Sequence, residues 1–172
     1  MGLLQDEVGY PYNQIPTKSF TYGSGGFYGW GTLCGSLSSA AHIINLFHDT
    51  ADATVLTNEL FSWYQQCEFP IYQPTVQNPT TVANSVLCHV SITKFMEETG
   101  FVRGSTERKA RCGGLTADVS KFTVQMLNDF ADGKFTSQFK PAASVAECMA
   151  CHSTDSHGKE DCLPCHDDPH AK

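Results

Sequence analysis

Two C-x-x-C-H motifs near the C-terminus are the residues of this chain best suited to chemistry. They are Cys148-Met149-Ala150-Cys151-His152 and Cys162-Leu163-Pro164-Cys165-His166. Two thiols three residues apart can form thioether bonds to the two vinyl groups of one porphyrin, and the histidine that follows can ligate its iron. The sequence therefore predicts two c-type haems, with the four cysteines as thioether anchors and the two histidines as proximal iron ligands.

Zinc is the main alternative for the same residues. The spacing C-x2-C-x10-C-x2-C could provide a tetrahedral site with four cysteine ligands, or with cysteine and histidine ligands together. However, the loop between the cysteine pairs is shorter than the ~15–20 residues usual in zinc ribbons, and zinc does not explain a histidine directly after each pair. We therefore favour haem and keep a zinc-stabilised interaction module as an alternative function.

The short distance in sequence between the motifs constrains the haems. His152 and His166 are 14 positions apart, so the two haems must lie nearly in contact, which favours fast electron exchange. His170 follows His166 by four residues, and a spacer of this length spans at most ~14 Å. This is too short for His170 to reach the opposite face of the haem held by His166. His170 therefore suits the other haem, or a haem in a second subunit. The same reasoning applies to His157 and the haem of His152. We predict bis-His ligation by His157 and His170, with His89 as the reserve distal ligand.

The state of the sixth coordination position separates two functions. If both irons are six-coordinate, the chain is an electron carrier and not an enzyme. If one iron is five-coordinate, the chain could be a haem enzyme that reduces peroxide or a nitrogen oxide. The sequence contains no catalytic triad, phosphate-binding loop or paired-carboxylate constellation that would suggest another reaction, so electron transfer is the leading hypothesis.

Four further cysteines form no local motif. They are Cys34, Cys67, Cys88 and Cys112. Thiolates that converge from different helices could hold an iron–sulfur cluster. Two disulfides and buried free thiols are the alternatives, and the spacing alone does not choose among the three.

Composition excludes several classes of protein. Hydrophobic residues make up 41% of the 172 residues, too many for a disordered chain, and 18 acidic residues outnumber 11 Lys and Arg. This acidic balance argues against nucleic-acid binding, which needs cations to neutralise phosphates. No apolar run approaches the ~18–20 residues that cross a bilayer. Because haem c is attached after export, we expect that a leader peptide was removed.

Apolar periodicity predicts an all-α fold. The expected helices begin near Thr32 and cover residues 52–66, about 82–98, and about 105–130. Gly113-Gly114 could break the last of them. The prolines between residues 68 and 80 predict a loop, and no alternating strand pattern is present.

The two ends of the chain differ from its middle. Residues 1–30 predict an irregular arm with turns at Gly23–Gly26. Residues 147–172 almost lack branched apolar side chains, so this segment needs a cofactor as its core. We therefore predict a helical domain over residues 1–133 with dispersed cysteines, and a loop-rich dihaem c-binding segment over residues 134–172.

Several segments also resemble a known family. They are Gly29-Trp30-Gly31-Thr32-Leu33-Cys34-Gly35-Ser36-Leu37, Leu87-Cys88-His89-Val90-Ser91, Arg111-Cys112 and Thr116-Ala117-Asp118-Val119. With the paired C-x-x-C-H motifs, and in the same order from about residue 9 to the end, they resemble the split-Soret cytochromes c. The N-terminal domain is also similar to a wider group of redox proteins with dispersed cysteines, in which a Gly-Cys-Ala element that this chain lacks is common.

This resemblance implies more than the spacing does. Family members are periplasmic electron carriers of anaerobic bacteria, so the resemblance implies a homodimer with closely stacked haem pairs and axial ligation shared across subunits. It further implies a non-haem iron–sulfur centre, [2Fe-2S] or another type, in the helical domain. Its candidate ligands here are Cys34, Cys67, Cys88 and Cys112. The redox partner proteins are not identified by either argument.

Overall fold

Helices make up most of the part of the chain that the computed structural model describes, which is residues 1–152, 158–161, 163 and 167. The α-helices are α1 (Gly2–Glu7), α2 (Gly35–Phe47), α3 (Thr50–Gln66), α4 (Cys88–Thr99), α5 (Thr106–Ala131) and α6 (Ala143–Cys151). Short 3-10 helices lie at Tyr12–Gln14 and Thr17–Gly23, and a small sheet consists of β1 (Glu68–Phe69) and β2 (Thr81–Val82). The chain divides into two compact units, Met1–Ser137 and Gln138–Lys172.

The core of the first unit lies where α2, α3 and α5 pack together. Leu37 and Ile44 of α2, Leu56 and Leu60 of α3, and Val119 of α5 are almost completely buried there. Burying an aliphatic side chain of this size contributes about 1.5–3 kcal/mol. The recurrence of apolar residues at three- and four-residue steps, which predicted these helices, reflects this shared core.

Local signals set the ends of the helices. The Asp49 carboxylate accepts a hydrogen bond from the backbone N–H of Asp52 at the start of α3, and the Ser105 hydroxyl accepts one from Arg108 at the start of α5. Such caps are worth about 1 kcal/mol each. Helix α4 ends at Gly100, whose φ of 71° is in the left-handed region that glycine adopts at little cost.

The segment between α3 and α4 differs from the predicted loop. Strands β1 and β2 pair antiparallel, with Glu68 opposite Val82 and Phe69 opposite Thr81. The Phe69 side chain is fully buried, which anchors this hairpin-like segment to the core. The third predicted helix was therefore wrong over residues 82–87, and α4 begins only at Cys88.

Helix α5 is continuous through Gly113-Gly114, where the sequence suggested a break. Gly114 is needed for close packing, because a Cβ atom there would overlap the backbone carbonyl oxygen of Tyr72. The same loop is attached to α5 by the Asp118 carboxylate, which accepts hydrogen bonds from the backbone N–H groups of Ile71 (2.7 Å) and Tyr72 (2.9 Å).

Both ends of the chain contain more regular structure than expected. The N-terminal arm forms α1 and the two 3-10 helices, and the predicted turn has left-handed backbone at Gly25 and Gly26, with φ of 62° and 66°. In the second unit, α6 carries the first cysteine pair. Within the described part of the chain, no helix combines the length and the apolar character needed to cross a bilayer.

Candidate metal and haem sites

Backbone pairing brings Cys34 and Cys88 together. Leu33 and Leu87 form an antiparallel bridge. The Cys34 N–H donates to the Val86 carbonyl at 2.9 Å, and the Cys88 N–H donates to the Thr32 carbonyl at 2.7 Å. Cys34 directly precedes α2 and Cys88 is the first residue of α4. Both cysteines therefore lie at helix N-termini, where the helix dipole carries partial positive charge.

The glycine-rich arm passes close over these two residues. A Cβ atom on Gly26 would lie 2.8 Å from the Cβ atom of Cys88, and one on Gly35 would overlap the backbone of Gly23. Only glycine allows such an approach. The glycines between residues 23 and 35 therefore close one side of the site as well as forming turns.

Cys34, Cys88 and Cys112 line one cavity of about 1650 Å³ within residues 1–137, which we call the thiol cavity. Its charged lining side chains are all basic: Arg103, Arg108, Lys109 and Arg111. These include all three arginines of the chain, whereas no Asp or Glu of residues 1–137 lines the cavity. In a chain with a formal net charge of −7, this cavity is therefore suited to an anionic group.

The pKa of the Cys88 thiol depends on burial and on the thiols and arginines around it. Burial raises the pKa of the Cys88 thiol, and the neighbouring Cys34 and Cys112 raise that pKa further, because thiolates repel one another. Arg108 and Arg111 lower the same pKa. Cys34 and Cys112 thus oppose ionisation of the Cys88 thiol, and a bound metal ion would favour its thiolate form.

Arg111 is the most unusual side chain in the lining. It is only 2% exposed, and among the described residues it forms no ion pair with a carboxylate. Its Nη2 donates to Ser91 Oγ at 2.9 Å, its guanidinium lies 5.5 Å from the centre of the Phe95 ring, and its Nε has no hydrogen-bond partner. Since an uncompensated buried charge costs several kcal/mol, we expect the cavity to hold a compensating anion.

A second buried polar side chain joins this arrangement. The Tyr64 hydroxyl is hydrogen-bonded to Ser91 Oγ at 3.3 Å, and Tyr64 is fully buried. Burial raises its pKa above the usual range, and both the charge of Cys34 and a hydrogen bond with Cys34 add to this effect. Tyr64 is therefore a neutral hydroxyl next to the Cys34 sulfur.

Cys67 lies in a different environment from the other three. It follows α3, its thiol contacts the Glu68 carbonyl oxygen at 3.8 Å, and it does not line the thiol cavity. Burial raises the pKa of Cys67, with further contributions from the Asp118 and Glu68 carboxylates. The structure therefore brings together three of the four cysteines that were predicted as cluster ligands and places the fourth beside carboxylates.

The three thiols line the same cavity without forming a site for a single metal ion. Among the described residues, no three His, Cys, Asp or Glu side chains lie close enough to hold one metal ion. Thiolates on one zinc ion must all lie about 2.3 Å from the same point, whereas the thiolates of an iron–sulfur cluster are divided among two or more iron atoms. Cys34, Cys67, Cys88, Cys112, Cys148 and Cys151 are all free in the structure.

The first C-x-x-C-H motif lies at the end of α6. Cys148 is half-buried and Cys151 is exposed, and they are one helical turn apart, so both thiols lie on the same side of the helix. His152 follows in an extended conformation, with its N–H bonded to the Cys148 carbonyl at 2.8 Å. Helical spacing followed by an extended histidine fits the thioether and imidazole contacts of one haem. The other predicted haem residues lie outside the described residues: Cys162, Cys165, His166, His157 and His170.

His89, the reserve distal ligand, is exposed at the start of α4. Its Nδ1 is 2.8 Å from the Gly31 carbonyl oxygen, so Nδ1 carries the proton and Nε2 has the free lone pair. Histidines that ligate metals commonly have such a second contact. The other two histidines of the first unit, Met1–Ser137, contact aromatic rings: His42 packs against Phe20, and His48 packs against Phe130.

Comparison with known proteins identifies the family of this chain. Residues 1–126 match a family described as "Putative redox-active protein (C_GCAxxG_C_C)". The chain is also 38% identical over 181 residues to the split-Soret cytochrome c of Desulfovibrio desulfuricans, covering 96% of this chain and 65% of that protein. The chain belongs to the split-Soret cytochrome c family. It spans 65% of the length of this curated relative.

A solved structure of a split-Soret cytochrome c supports the same relationship. It is described as a novel iron centre in the protein from Desulfovibrio desulfuricans, and it matches this chain with a TM-score of 0.90 at 36% identity. The match covers 96% of this chain and 75% of that one. At this identity and similarity, the likeness extends to the fold of the whole aligned region.

Sequence reasoning missed several residues of the thiol cavity. Arg111 and Ser91 are within the segments that carry the family resemblance, yet nothing in their spacing links them to Cys34. Tyr64 is part of the hydrophobic core cluster to which α3 contributes, so its residue type alone does not indicate a site. Arg108 has a buried Nε without a hydrogen-bond partner, a feature that only the folded chain reveals.

Proposed function

We propose that this split-Soret cytochrome c family member is an electron-transfer protein that carries two c-type haems and one iron–sulfur centre. The thiol pair on α6 followed by an extended His152 is the observation that supports the haem assignment most directly. The relationship to split-Soret cytochrome c agrees with it. A haem c supplies an Fe(III)/Fe(II) couple that accepts and releases one electron at a time.

The residues of the C-terminal unit have distinct roles in this proposal. Cys148 and Cys151 anchor one haem and Cys162 and Cys165 the other, while His152 and His166 supply the proximal imidazoles. His157 and His170 are the distal ligands that we propose, within one subunit or between two, with His89 in reserve. Two imidazoles stabilise ferric iron more than a methionine ligand does, so low haem potentials are expected.

The helical unit supplies the second redox site. Cys34, Cys88 and Cys112 hold the iron–sulfur centre, because they line one cavity with Arg108 and Arg111. The buried Arg111 guanidinium fits such a group, since a thiolate-bound cluster is anionic and the cavity lacks carboxylates of residues 1–137. The iron centre of the Desulfovibrio desulfuricans relative is consistent with this assignment.

We further propose that the protein is a periplasmic homodimer with stacked haem pairs. Haem c is attached after export, which supports the location. The 14 positions between His152 and His166 support close haems. An enzymatic role would require a five-coordinate iron, and bis-His ligation removes that vacancy.

One set of measurements on the full-length protein tests this function. Absorption spectra of the oxidised and dithionite-reduced protein should show bis-His haem c bands with a split Soret band, and total iron should exceed two atoms per chain. Rapid carbon monoxide binding to the reduced protein would instead support the haem enzyme. A colourless, zinc-containing protein would overturn the proposal.

A further inference from the structure

The thiol cavity contains a hydrogen-bonded series of buried groups for which the haem sites and cysteine ligands give no role. Arg111 Nη2 donates to Ser91 Oγ at 2.9 Å, and Ser91 Oγ lies 3.3 Å from the Tyr64 hydroxyl. Tyr64 and Cys34 both line the cavity, and a side-chain hydrogen bond with Cys34 contributes to the raised pKa of Tyr64. The three side chains come from α5, α4 and α3 and are at most 2% exposed. We call them the Arg–Ser–Tyr series.

We propose that the Arg–Ser–Tyr series is a set of positioning residues that directs a hydrogen bond and a positive charge toward the sulfur of Cys34, and so raises the reduction potential of the iron–sulfur centre. This inference rests on the proposed function, because it requires a centre at Cys34, Cys88 and Cys112. It assigns to Arg111, Ser91 and Tyr64 a role in setting that potential.

The protonation state of Cys34 determines the direction of the hydrogen bonds. A free Cys34 thiol has its own proton, so Tyr64 can donate to Ser91, as in the structure. A metal-bound Cys34 has lost that proton, so only the tyrosine hydroxyl can supply a proton to the Tyr64–Cys34 contact. Arg111 has donors only, and it therefore donates to Ser91. Ser91 can then donate to Tyr64, and every donor points toward the sulfur.

The burial of these groups makes the effect large. Hydrogen bonds to charged groups are about twice as strong as neutral ones, and water does not screen charges here as it does at the surface. A cluster gains one negative charge when it accepts an electron, so a donor and a cation beside its ligand stabilise the reduced form. Removing them should lower the potential.

Side-chain variants of the full-length, metal-loaded protein test this inference. In Tyr64→Phe we expect the ratio of reduced to oxidised centre at a fixed ambient potential to fall about tenfold, which corresponds to 59 mV for a one-electron couple. Ser91→Ala should shift the potential in the same direction by less. Because Ser91 acts through Tyr64, the double variant should shift no more than Tyr64→Phe alone. Arg111→Met should give the largest shift, and Arg111→Lys should recover part of it.

The readout is a mediated redox titration followed by electron paramagnetic resonance, with non-haem iron determined in each variant. Tyr72→Phe is the matched control, since this tyrosine is 56% exposed and lies outside the cavity lining. It should leave the potential unchanged. If Arg111→Met does not fold, Tyr64→Phe and Ser91→Ala still decide the question.

Two results would overturn the inference, and they are distinguishable. A wild-type protein without non-haem iron would remove the iron–sulfur site itself, and this inference with it. A wild-type protein that holds the centre, with Tyr64→Phe, Ser91→Ala and Arg111→Met at the wild-type potential, would leave the site intact and show that the Arg–Ser–Tyr series only packs the interior.

Discussion

Replacing two adjacent glycines of α5 by alanine should change stability in opposite directions. Gly113 has no atom within 4 Å of the position that a Cβ would occupy, whereas a Cβ on Gly114 would overlap the Tyr72 carbonyl oxygen and lie 2.9 Å from the Pro70 Cβ. Alanine is favoured over glycine in a helix interior by about 0.8–1 kcal/mol. Gly113→Ala should therefore stabilise the protein by up to that amount.

Gly114→Ala gains the same helix propensity but must displace the loop. The obstructing atom belongs to the backbone, so it cannot move away by changing a rotamer, and overpacking of this kind costs about 1–3 kcal/mol or more. The difference is a net loss of up to about 2 kcal/mol. For a chain of this length, a loss of about 2 kcal/mol corresponds to a decrease in Tm of roughly 4–8 °C.

Urea unfolding of the full-length protein, followed by far-ultraviolet circular dichroism, measures both glycine variants. Gly114→Ala should also bind less non-haem iron, because Cys112 lies two residues earlier on the same helix. If the two variants change stability by the same amount and in the same direction, the close approach of α5 to the loop is refuted.

Three further variant sets test other parts of the structure. Cys88→Ser should lose non-haem iron while Cys67→Ser keeps it, and iron analysis giving the reverse would place the centre elsewhere. Asp118→Asn should cost about 1.5–3 kcal/mol, because an amide oxygen cannot replace both carboxylate contacts to backbone N–H groups. The exposed Asp132→Asn should cost less than about 1 kcal/mol in the same unfolding assay. Cys151→Ser should leave one haem with a single thioether, so the pyridine haemochrome band should move to longer wavelength, and an unchanged band would argue against the haem assignment.

The helices could be predicted from sequence because their signals are local. Apolar periodicity located α3 within two residues of its start, and Gly100 and Ser105 marked the boundary between α4 and α5. The signal failed where structure depends on distant residues. Strands β1 and β2 have only two residues each, too few for alternation to be visible, and their pairing removes residues 82–87 from the third predicted helix.

The sites show the same division between local and distant information. The C-x-x-C-H motifs are complete within five residues each, so their chemistry could be predicted without a fold. The dispersed cysteines have no such motif, and only the pairing of residues 32–34 with 86–88 brings Cys34 near Cys88. The influence of Asp118 on Cys67 could not be predicted either. These two residues are far apart in sequence and come near each other only when α5 packs against β1.

The thiols and the buried arginine of the thiol cavity can compensate each other electrostatically. Three thiolates alone would repel one another, and a buried arginine alone would be costly. The arginine charge reduces the repulsion among the thiolates, and the thiolates reduce the free-energy cost of burying the arginine. A metal ion bound to the thiolates would reduce their repulsion further. Helix N-termini at Cys34 and Cys88 add partial positive charge on the same side. If the proposed metal centre occupies the cavity, it would compensate both charges, and we expect metal removal to lower the stability of residues 1–137.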